Sequence, residues 1–364
     1  MEIRAPVLHA FNQPHRIEPI EVRPPRQGEV LVRMAASGVC HSCLHAAEGA
    51  WPWVPTPIIL GDEGAGTIVE VGPGVADLKA GDGVILSWMP ACGRCRYCAI
   101  GRPVLCVNRP PRGSLRDGDT CFRLGETKVY QYGTVASFSP YVVVPEECAI
   151  RLKPGVSLTA ASLIGCSVMT GVGAVVNTAR VPPGASLAVF GCGGVGLNAV
   201  QGGAISSAHP LIAVDVHDLK LEVAQSLGAT HRLHATREDV PRRIREITGH
   251  GVDYAVVAVG DTRAAQQAWD SLGPGGTCVI VGLPAAGHTL QIDPATLVSP
   301  ERRLIGSYYG SARPREDFAR LTDLYLGGRL KIDQLITRTY EMEQVEEAFR
   351  DLAAGSLARG VIVF

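Results

Sequence analysis

Residues 186–200 read SLAVFGCGGVGLNAV, and this stretch decides the fold of the second half of the chain. Its apolar start predicts a β-strand, and the glycines that follow stand in G-x-G-x-x-G spacing before a helical pattern. Such a turn brings backbone amides and a helix N-terminus close to the pyrophosphate of a dinucleotide. The alternative is a turn whose glycines only allow tight packing of the helix on the sheet. The predicted cofactor-binding residues are Gly191, Gly193, Gly194, Val195 and Gly196.

An acidic residue in the next apolar run supports a cofactor site. Asp215 ends the run LIAVDV (211–216), nineteen residues after Gly196. A carboxylate at this position accepts hydrogen bonds from both ribose hydroxyls of the adenosine half, and it repels a 2′-phosphate. The sequence therefore favours NAD over NADP. Lys220, five residues further on, is predicted to reach the same ribose.

The pattern of apolar residues divides the chain into two regions. The first 150 residues hold short β-prone runs broken by Gly and Pro, such as GTIVEVG (66–72), which are typical of an antiparallel, barrel-like domain. From about residue 165, apolar runs alternate with amphipathic stretches such as LKLEVAQSLGA (219–229). This alternation predicts an α/β domain with a parallel sheet covered by helices. Residues 107–127 carry turn formers and charge, and we expect a long surface excursion there.

Composition limits the function and the compartment. The chain has 364 residues and a formal net charge of −1, which gives no electrostatic reason to expect nucleic acid or an anionic membrane surface as a partner. The N-terminal residues lack the pattern of a signal peptide, and Gly and Pro interrupt the longer apolar stretches. We therefore expect a cytoplasmic protein, whose eleven cysteines serve metal binding or catalysis rather than disulfides.

Four of these cysteines fall within fifteen residues, in the segment CGRCRYCAIGRPVLC (92–106). Their C-x2-C-x2-C-x7-C spacing allows four thiolates to close a tetrahedral site. A site with four protein ligands keeps no open position, so the predicted zinc is structural. An iron–sulfur cluster and a disulfide pair are the alternatives. The predicted ligands are Cys92, Cys95, Cys98 and Cys106.

Five motifs follow one another along the chain: GVCHS (38–42), GDEGAG (61–66), the four-cysteine segment, IGC with TGVGAV (164–175), and the dinucleotide motif. This order resembles that of the zinc-dependent medium-chain alcohol dehydrogenases from one end of the chain to the other. The resemblance implies a GroES-like, β-rich catalytic domain combined with a doubly wound Rossmann NAD-binding domain. The expected boundaries are 1–167 and 307–364 for the first, and 168–306 for the second.

The resemblance also implies a catalytic zinc in the cleft between the two domains, held by Cys40, Cys166 and the residue at position 62. Two positions depart from the family pattern. The family normally has a His ligand at position 62 and, at position 43, an Asp that orients it, whereas this chain has Asp62 and Cys43. We interpret the two changes as coupled, because an acid that orients an imidazole would repel a carboxylate ligand.

We therefore predict that Asp62 binds zinc through oxygen, which zinc accepts. Glu63 is predicted to be a nearby carboxylate that approaches the metal when substrate or water leaves. Cys43 forms a C-x2-C pair with Cys40, so an alternative is that Cys43 is itself the ligand. In a second alternative the catalytic zinc is absent. In a third, Asp62 is a buried acid bonded to turn amides.

The remaining site residues are also implied by the resemblance. Ser42 and His45 match the hydroxyl and imidazole of the family's proton relay. Thr170 matches a contact to nicotinamide, and His41 and Arg359 match contacts to the pyrophosphate. The segment at 107–127 resembles that of the longer-chain branch, so we expect a homo-oligomer, with a dimer favoured over a tetramer.

These expectations together predict reversible hydride transfer between a primary or secondary alcohol, or its aldehyde, and NAD(H). Small hydrophobic or aromatic primary alcohols are the default substrates. One alternative is a reductase without catalytic zinc that acts on an activated C=C or C=O bond. Another is a non-catalytic protein that keeps the fold as a structural or regulatory module.

Overall fold

The chain folds into two units, which a computed structural model describes over residues 1–364. One unit comprises Met1–Cys166 with Arg313–Phe364, and the other comprises Ser167–Ala312. Each unit contains its own β-sheet structure and its own buried apolar core.

Residues 1–166 are mostly β-structure. Three helices lie between or after the strands: α1 (His41–Ala47), α2 (Arg96–Ala99) and α3 (Leu158–Leu163). The strands are β1 (Glu2–Val7), β2 (Arg16–Val22), β3 (Glu29–Gly38), β4 (Ile58–Ile59), β5 (Gly64–Val71), β6 (Gly83–Leu86), β7 (Phe122–Leu124), β8 (Thr127–Gln131), β9 (Tyr141–Pro145) and β10 (Ala149–Arg151).

Residues 167–312 alternate strands with helices. The helices are α4 (Met169–Gly173), α5 (Gly194–Ile205), α6 (Asp218–Ser226), α7 (Val240–Thr248), α8 (Thr262–Asp270) and α9 (Pro294–Val298). The strands are β11 (Leu187–Phe190), β12 (Leu211–Asp215), β13 (His231–His234), β14 (Val252–Val257), β15 (Leu272–Ile280) and β16 (Arg303–Gly306).

All six of these strands run parallel, in the order β13-β12-β11-β14-β15-β16. The strand order reverses direction at β11, which is the doubly wound arrangement of dinucleotide-binding domains. The alternation read from the sequence therefore predicted the class of this unit correctly.

The last 52 residues return to the first unit. They form α10 (Pro314–Leu326), β17 (Ile336–Glu341), α11 (Val345–Ala353) and β18 (Arg359–Val363). Strand β18 pairs antiparallel with β3, with Val361 opposite Gly38. The unit has one sheet in the order β1-β2-β7-β8-β4 and a second in the order β10-β6-β5-β3-β18-β17, with β9 paired to β3. Eight of the ten strand pairs of this unit are antiparallel, as the sequence predicted for the β-rich domain, and β4–β8 and β17–β18 are parallel.

One continuous helix, Leu158–Ala179, has the length and hydropathy of a membrane span, but 83% of its most apolar 18-residue segment is buried inside the protein. We expected glycine to interrupt such stretches, and that expectation was wrong for this helix. Gly165, Gly171 and Gly173 lie within the helix where neighbouring backbone packs closely against it, so a larger residue would not fit. An added Cβ would be 2.6 Å from the Leu86 carbonyl oxygen at Gly165 and 2.2 Å from the Val195 carbonyl oxygen at Gly171.

The segment 107–127 is only partly a surface excursion. Leu115 and Cys121 belong to the core, and residues 122–124 form β7, which pairs with β2 and β8. The apolar residues of this segment are too sparse to show the periodicity of a strand or a helix, so the sequence did not predict that part of the segment is buried in the core. Cys121 contributes there as a small buried apolar side chain.

Gly61 fixes the backbone just before the two adjacent carboxylates, Asp62 and Glu63. Its φ is +101°, in the left-handed region that favours glycine, and an added Cβ would lie 2.5 Å from the backbone nitrogen of Phe138. Gly81, in the same unit, also has a positive φ of +92°, but no atom lies within 4 Å of its added Cβ.

We predict that Gly61→Ala lowers the free energy of unfolding by about 3 kcal/mol or more, because it adds backbone overlap to conformational strain. Gly81→Ala is the matched control and should cost about 1–2 kcal/mol from strain alone. Urea unfolding followed by circular dichroism measures both. Equal costs for the two variants would contradict the steric argument.

Candidate active site

The first turn of α1 carries three of the side chains predicted from the sequence. Strand β3 ends at Gly38, and Cys40 is the residue that caps the N-terminus of α1 in an extended conformation. The chain then turns into the helix through Ser42 and Cys43. Cys40 and Cys43 are buried, and Ser42 is half-buried. Because α1 follows β3 directly, the central sheet fixes the position of this turn.

Two other parts of the same unit bring the remaining donors to this turn. Asp62 and Glu63 lie between β4 and β5, and Cys166 lies in a π-helical turn that follows α3. Gly38 leaves the space that Glu63 occupies, since an added Cβ there would be 2.1 Å from Glu63 Oε2. The arrangement therefore depends on strand and helix backbone rather than on a flexible loop.

The potential ligand atoms of Cys40, Asp62, Glu63 and Cys166 all lie within 4.8 Å of one another. All four residues are buried, and Glu63 has no exposed surface. The structure thus brings together the three zinc ligands predicted from the sequence and the carboxylate predicted to lie beside them.

Asp62 accepts hydrogen bonds on both carboxylate oxygens. Ser42 Oγ donates to Asp62 Oδ2 at 2.5 Å, and Cys43 Sγ donates to Asp62 Oδ1 at 3.6 Å. Cys166 Sγ lies 3.9 Å from Asp62 Oδ2. Burial raises the pKa of Asp62 above its usual value, although the Ser42 hydrogen bond and the charge of Arg359 oppose this shift.

An ion pair that the sequence analysis did not predict completes the cluster. The Arg359 guanidinium donates from Nη2 to Glu63 Oε2, and both side chains are almost fully buried. Burial alone would lower the pKa of Arg359, but the charges of Glu63 and Cys40 and the hydrogen bond to Glu63 together outweigh burial and raise that pKa above the usual value. The two residues are 296 positions apart, so no local pattern could have linked them. The assignment of Arg359 to the cofactor pyrophosphate stays a prediction.

The donor set fits a divalent cation. Two thiols and two carboxyls surround one point, and Arg359 pairs with one of the carboxyls, that of Glu63. A hydrogen bond with Cys40, burial and the charge of Asp62 raise the pKa of Cys166 well above its usual value. Close packing of sulfur and oxygen donors disfavours their charged forms, and a bound metal ion would favour those charged forms instead. Sulfur and carboxylate oxygen are both zinc ligands in proteins.

The four-cysteine segment forms a second cluster. Cys95 Sγ lies 3.5 Å from Cys98 Sγ and 3.9 Å from Cys106 Sγ, and the fourth member is Cys92. Tetrahedral zinc with Zn–S bonds of about 2.3 Å places its sulfurs about 3.8 Å apart. Every cysteine of the chain is a free thiol here, so the distances fit a metal site rather than a disulfide. The Arg94 backbone amide contributes most to lowering the pKa of Cys92 to about 6, whereas burial contributes most to raising the pKa of Cys98 to about 12.

The other residues of the predicted relay lie along α1. His45 follows Ser42 by three residues, which places both on one face of the helix. The His45 imidazole stacks on Trp51 at 5.7 Å between ring centroids, and Trp51 stacks on Trp53 at 6.5 Å. His41, the first residue of the helix, is exposed.

The second unit holds the predicted cofactor residues other than His41 and Arg359. Gly193 caps the N-terminus of α5, and the space where its Cβ would project is open. An added Cβ at Gly196 would lie 1.7 Å from the Gly191 carbonyl oxygen, so only glycine allows this close turn. Asp215, at the carboxyl end of β12, accepts hydrogen bonds from the backbone amides of Cys192 at 2.6 Å and His217 at 2.9 Å. The turn, the helix N-terminus and the carboxylate together fit a dinucleotide whose adenosine ribose carries no 2′-phosphate.

The structure gives less specific support for the other two cofactor residues predicted in this unit. Thr170 lies in α4, and Lys220 lies in the first turn of α6, close enough for its charge to act on Cys192. Both remain predictions as cofactor contacts.

Known proteins share this architecture. Residues 26–154 match the family described as alcohol dehydrogenase GroES-like domain, and residues 194–326 match zinc-binding dehydrogenase. An NDMA-dependent alcohol dehydrogenase of Amycolatopsis methanolica is 38% identical over 100% of this chain and 99% of its own length. The chain belongs to the zinc-dependent alcohol dehydrogenase family. It is therefore an NAD-dependent oxidoreductase that uses zinc.

Two further relatives of this dehydrogenase show the range of the family. An S-(hydroxymethyl)glutathione dehydrogenase of Synechocystis sp. is 36% identical over the full length of both chains. The crystal structure of benzyl alcohol dehydrogenase from Acinetobacter calcoaceticus superimposes with a TM-score of 0.95 at 32% identity, covering 100% of this chain and 99% of that one. The GroES-like and Rossmann fold class predicted from the sequence is confirmed.

We predict that Cys98→Ser removes one zinc per chain from the dehydrogenase, because the hydroxyl is a poor substitute for a thiolate ligand. Residues 92–106 should then become sensitive to limited proteolysis, since their helix α2 has no buried residues of its own. Cys278→Ala, at a buried cysteine of the other unit, is the control and should keep the parent zinc content. Unchanged zinc content in Cys98→Ser, measured by elemental analysis, would contradict the assignment.

Proposed function

We propose that this dehydrogenase oxidises alcohols, reversibly, at the cluster formed by Cys40, Asp62 and Cys166, with Glu63 as the adjacent carboxylate. The observation that carries the proposal is the convergence of two thiols and two carboxyls within 4.8 Å in the buried interior of one unit. Zinc bound there would act as a Lewis acid on the substrate oxygen, and NAD would accept the hydride. We assign the two units of the structure to catalysis and to NAD binding, respectively.

Ser42 is the proposed first proton carrier. Its hydroxyl is half-buried and lies beside Asp62. Ser42 Oγ donates a hydrogen bond to Asp62 Oδ2, with 2.5 Å between the two oxygens. Tyr132 donates to the Ser42 carbonyl oxygen at 3.2 Å, which helps to fix the helix turn. His45, one turn further along α1, is the proposed next protein carrier on the way to solvent.

Large aromatic side chains surround these carriers and support hydrophobic or aromatic alcohols as substrates. Trp51 stacks on the His45 ring, and its indole nitrogen is buried without a hydrogen-bond partner. Trp88 and Asp62 both lie within 4 Å of the position where Gly133 would carry a Cβ. Tryptophan surfaces of this kind exclude water and accommodate flat rings. Similarity to a benzyl alcohol dehydrogenase agrees with this substrate class.

Asp215 supports NAD rather than NADP as the cofactor. Its carboxylate is held by two backbone amides at the end of β12, where it can accept the ribose hydroxyls and repel a 2′-phosphate. Gly193 leaves open space at the N-terminus of α5 for the pyrophosphate. His41, Thr170 and Arg359 keep the roles that the family resemblance implies, and Lys220 keeps the ribose contact predicted from its position after Asp215.

We predict that the purified protein forms NADH from NAD and benzyl alcohol, and that Ser42→Ala loses at least about 100-fold in kcat because the proton has no positioned acceptor. The affinity for NAD should be unchanged. Absorbance at the NADH band measures turnover, and fluorescence titration measures NAD binding. Ser162→Ala, a buried hydroxyl on α3 that donates to the Thr159 carbonyl oxygen, is the control and should keep the parent kcat.

Chelation separates this proposal from a reductase without catalytic zinc. Removal of zinc should abolish NADH formation, and added zinc should restore it. Full turnover in Ser42→Ala would overturn the relay. Turnover that survives the removal of all zinc would overturn the proposed function and favour the metal-free reductase.

We further propose that the protein is a cytoplasmic homodimer. The free state of all eleven cysteines suits a reducing compartment. Strand β16 is one of the two edge strands of the parallel sheet, and it exposes Leu304, with Val298 and Leu283 exposed in the neighbouring segments. An apolar open edge of this kind is usually covered in a stable protein, and a second copy would cover it by extending the sheet.

Light scattering after size-exclusion chromatography should give the mass of a dimer for the parent protein and of a monomer for Leu304→Glu. The charge would be buried without a partner in the dimer. Leu326→Glu, at an exposed leucine of α10, is the control and should remain dimeric. A monomeric parent protein would contradict the proposal.

A further inference from the structure

Cys43 stands out because it is completely buried beside the predicted metal ligands and has no role in the function proposed above. Its sulfur lies 3.6 Å from Asp62 Oδ1, with the thiol as donor, while the preceding residue, Ser42, donates to the other oxygen of the same carboxylate. Two consecutive residues of α1 therefore hold both oxygens of Asp62. This pattern raises the question of what the thiol contributes.

We propose that Cys43 is a positioning residue, whose thiol donates to Asp62 and orients that carboxylate as a metal ligand. The inference rests on the proposed function, since it assumes that Asp62 binds the metal. It adds a residue that acts through Asp62 and not on the substrate.

The chemistry of the pair explains why a thiol occupies this position. An imidazole ligand has a ring N–H to donate, so it needs an acceptor behind it. A carboxylate ligand has no hydrogen to donate and needs a donor instead. An acidic side chain at position 43 would place a like charge against Asp62 in a buried site, where it is hardly screened. The neutral thiol supplies a donor and adds no charge.

The surroundings of Cys43 favour this role over direct ligation. The four residues whose donor atoms lie mutually within 4.8 Å are Cys40, Asp62, Glu63 and Cys166, and Cys43 is not among them. The Cys43 sulfur also interacts with the Gly61 backbone, next to Asp62. Its backbone amide bonds to the Cys40 carbonyl oxygen at 3.1 Å, which fixes the thiol relative to a predicted ligand.

Cadmium-113 NMR of the protein loaded with 113Cd²⁺ tests the inference without measuring activity. The four-sulfur cluster and the active site should give two separate resonances, because the chemical shift reports the number of thiolate ligands. The first resonance serves as an internal reference. A competing chelator is then added, and the loss of intensity of each resonance measures how strongly that site retains its metal.

We expect Cys43→Ala to release the active-site metal at least tenfold more readily than the parent, with the four-sulfur site unchanged, because partners that orient ligands typically contribute 10- to 100-fold to metal affinity. Cys43→Ser, which keeps a donor, should recover part of this loss. In both variants the active-site resonance should keep the shift of a two-thiolate site. Cys148→Ala, at a buried free cysteine of the same unit, is the control and should match the parent.

Two outcomes would overturn the inference. Parent-like retention in Cys43→Ala would show that the thiol positions nothing, and an upfield shift in Cys43→Ser would show that Cys43 is a ligand. The charge argument is tested by Cys43→Asp, which should lose the active-site metal, and by Asp62→His with Cys43→Asp, which should regain it. Failure of that double variant to regain metal would also count against the inference.

The same spectra distinguish failure of the inference from failure of the proposed function. If Asp62→Ala keeps the parent active-site resonance and retention, Asp62 is not a ligand and the proposed function loses its metal site. If Asp62→Ala loses the metal while Cys43→Ala keeps it, the proposed site stands and the inference about Cys43 alone is wrong.

Discussion

Two thiols and two carboxyls, all of them ionisable and able to bind a metal, are buried around one point, and the rest of this structure depends on that constraint. Cys40, Asp62, Glu63 and Cys166 lie within 4.8 Å of one another, away from solvent. An uncompensated buried charge costs several kcal/mol, so such a cluster must keep its protons or acquire positive charge. Arg359 supplies one charge, through Glu63. In the function proposed here, a divalent cation would supply the rest and make the cluster a reactive site as well as a stable one.

The fold serves this constraint through rigid elements. Strand β3 leads directly into the helix turn that Cys40 caps. Gly61, with its left-handed backbone, sets the direction of the chain just before Asp62. The helix that begins at α3 carries Cys166. Strand β18, the last of the chain, carries Arg359 and lies beside β3. Donors from three separate parts of the sequence, with Arg359 from a fourth, thus meet because sheet pairing and close glycine contacts leave them little freedom. Preorganisation of this kind is what metal-assisted catalysis requires.

Sequence alone revealed the parts of the molecule that are local. The glycine motif, the four-cysteine segment and the alternation of strands and helices each lie within a short window, so spacing was enough to predict them. Asp62 and Cys43 were noticed as departures from a family pattern. The Arg359–Glu63 pair was not predicted because it joins residues 296 positions apart, and the burial of Leu115 was missed because its segment has no apolar period. The donor role of Cys43 needed the distance to Asp62, which no sequence contains.

We propose that one metal ion binds at Cys40, Asp62 and Cys166 and another in the four-cysteine segment. Anomalous diffraction at the zinc edge, from crystals of the protein with NAD, should therefore show two peaks per chain, the second bound by two sulfurs at about 2.3 Å and by an Asp62 oxygen at about 2.0–2.2 Å. A single peak in the four-cysteine segment of fully active protein, or a second peak without an Asp62 oxygen around it, would rule out the proposed metal site.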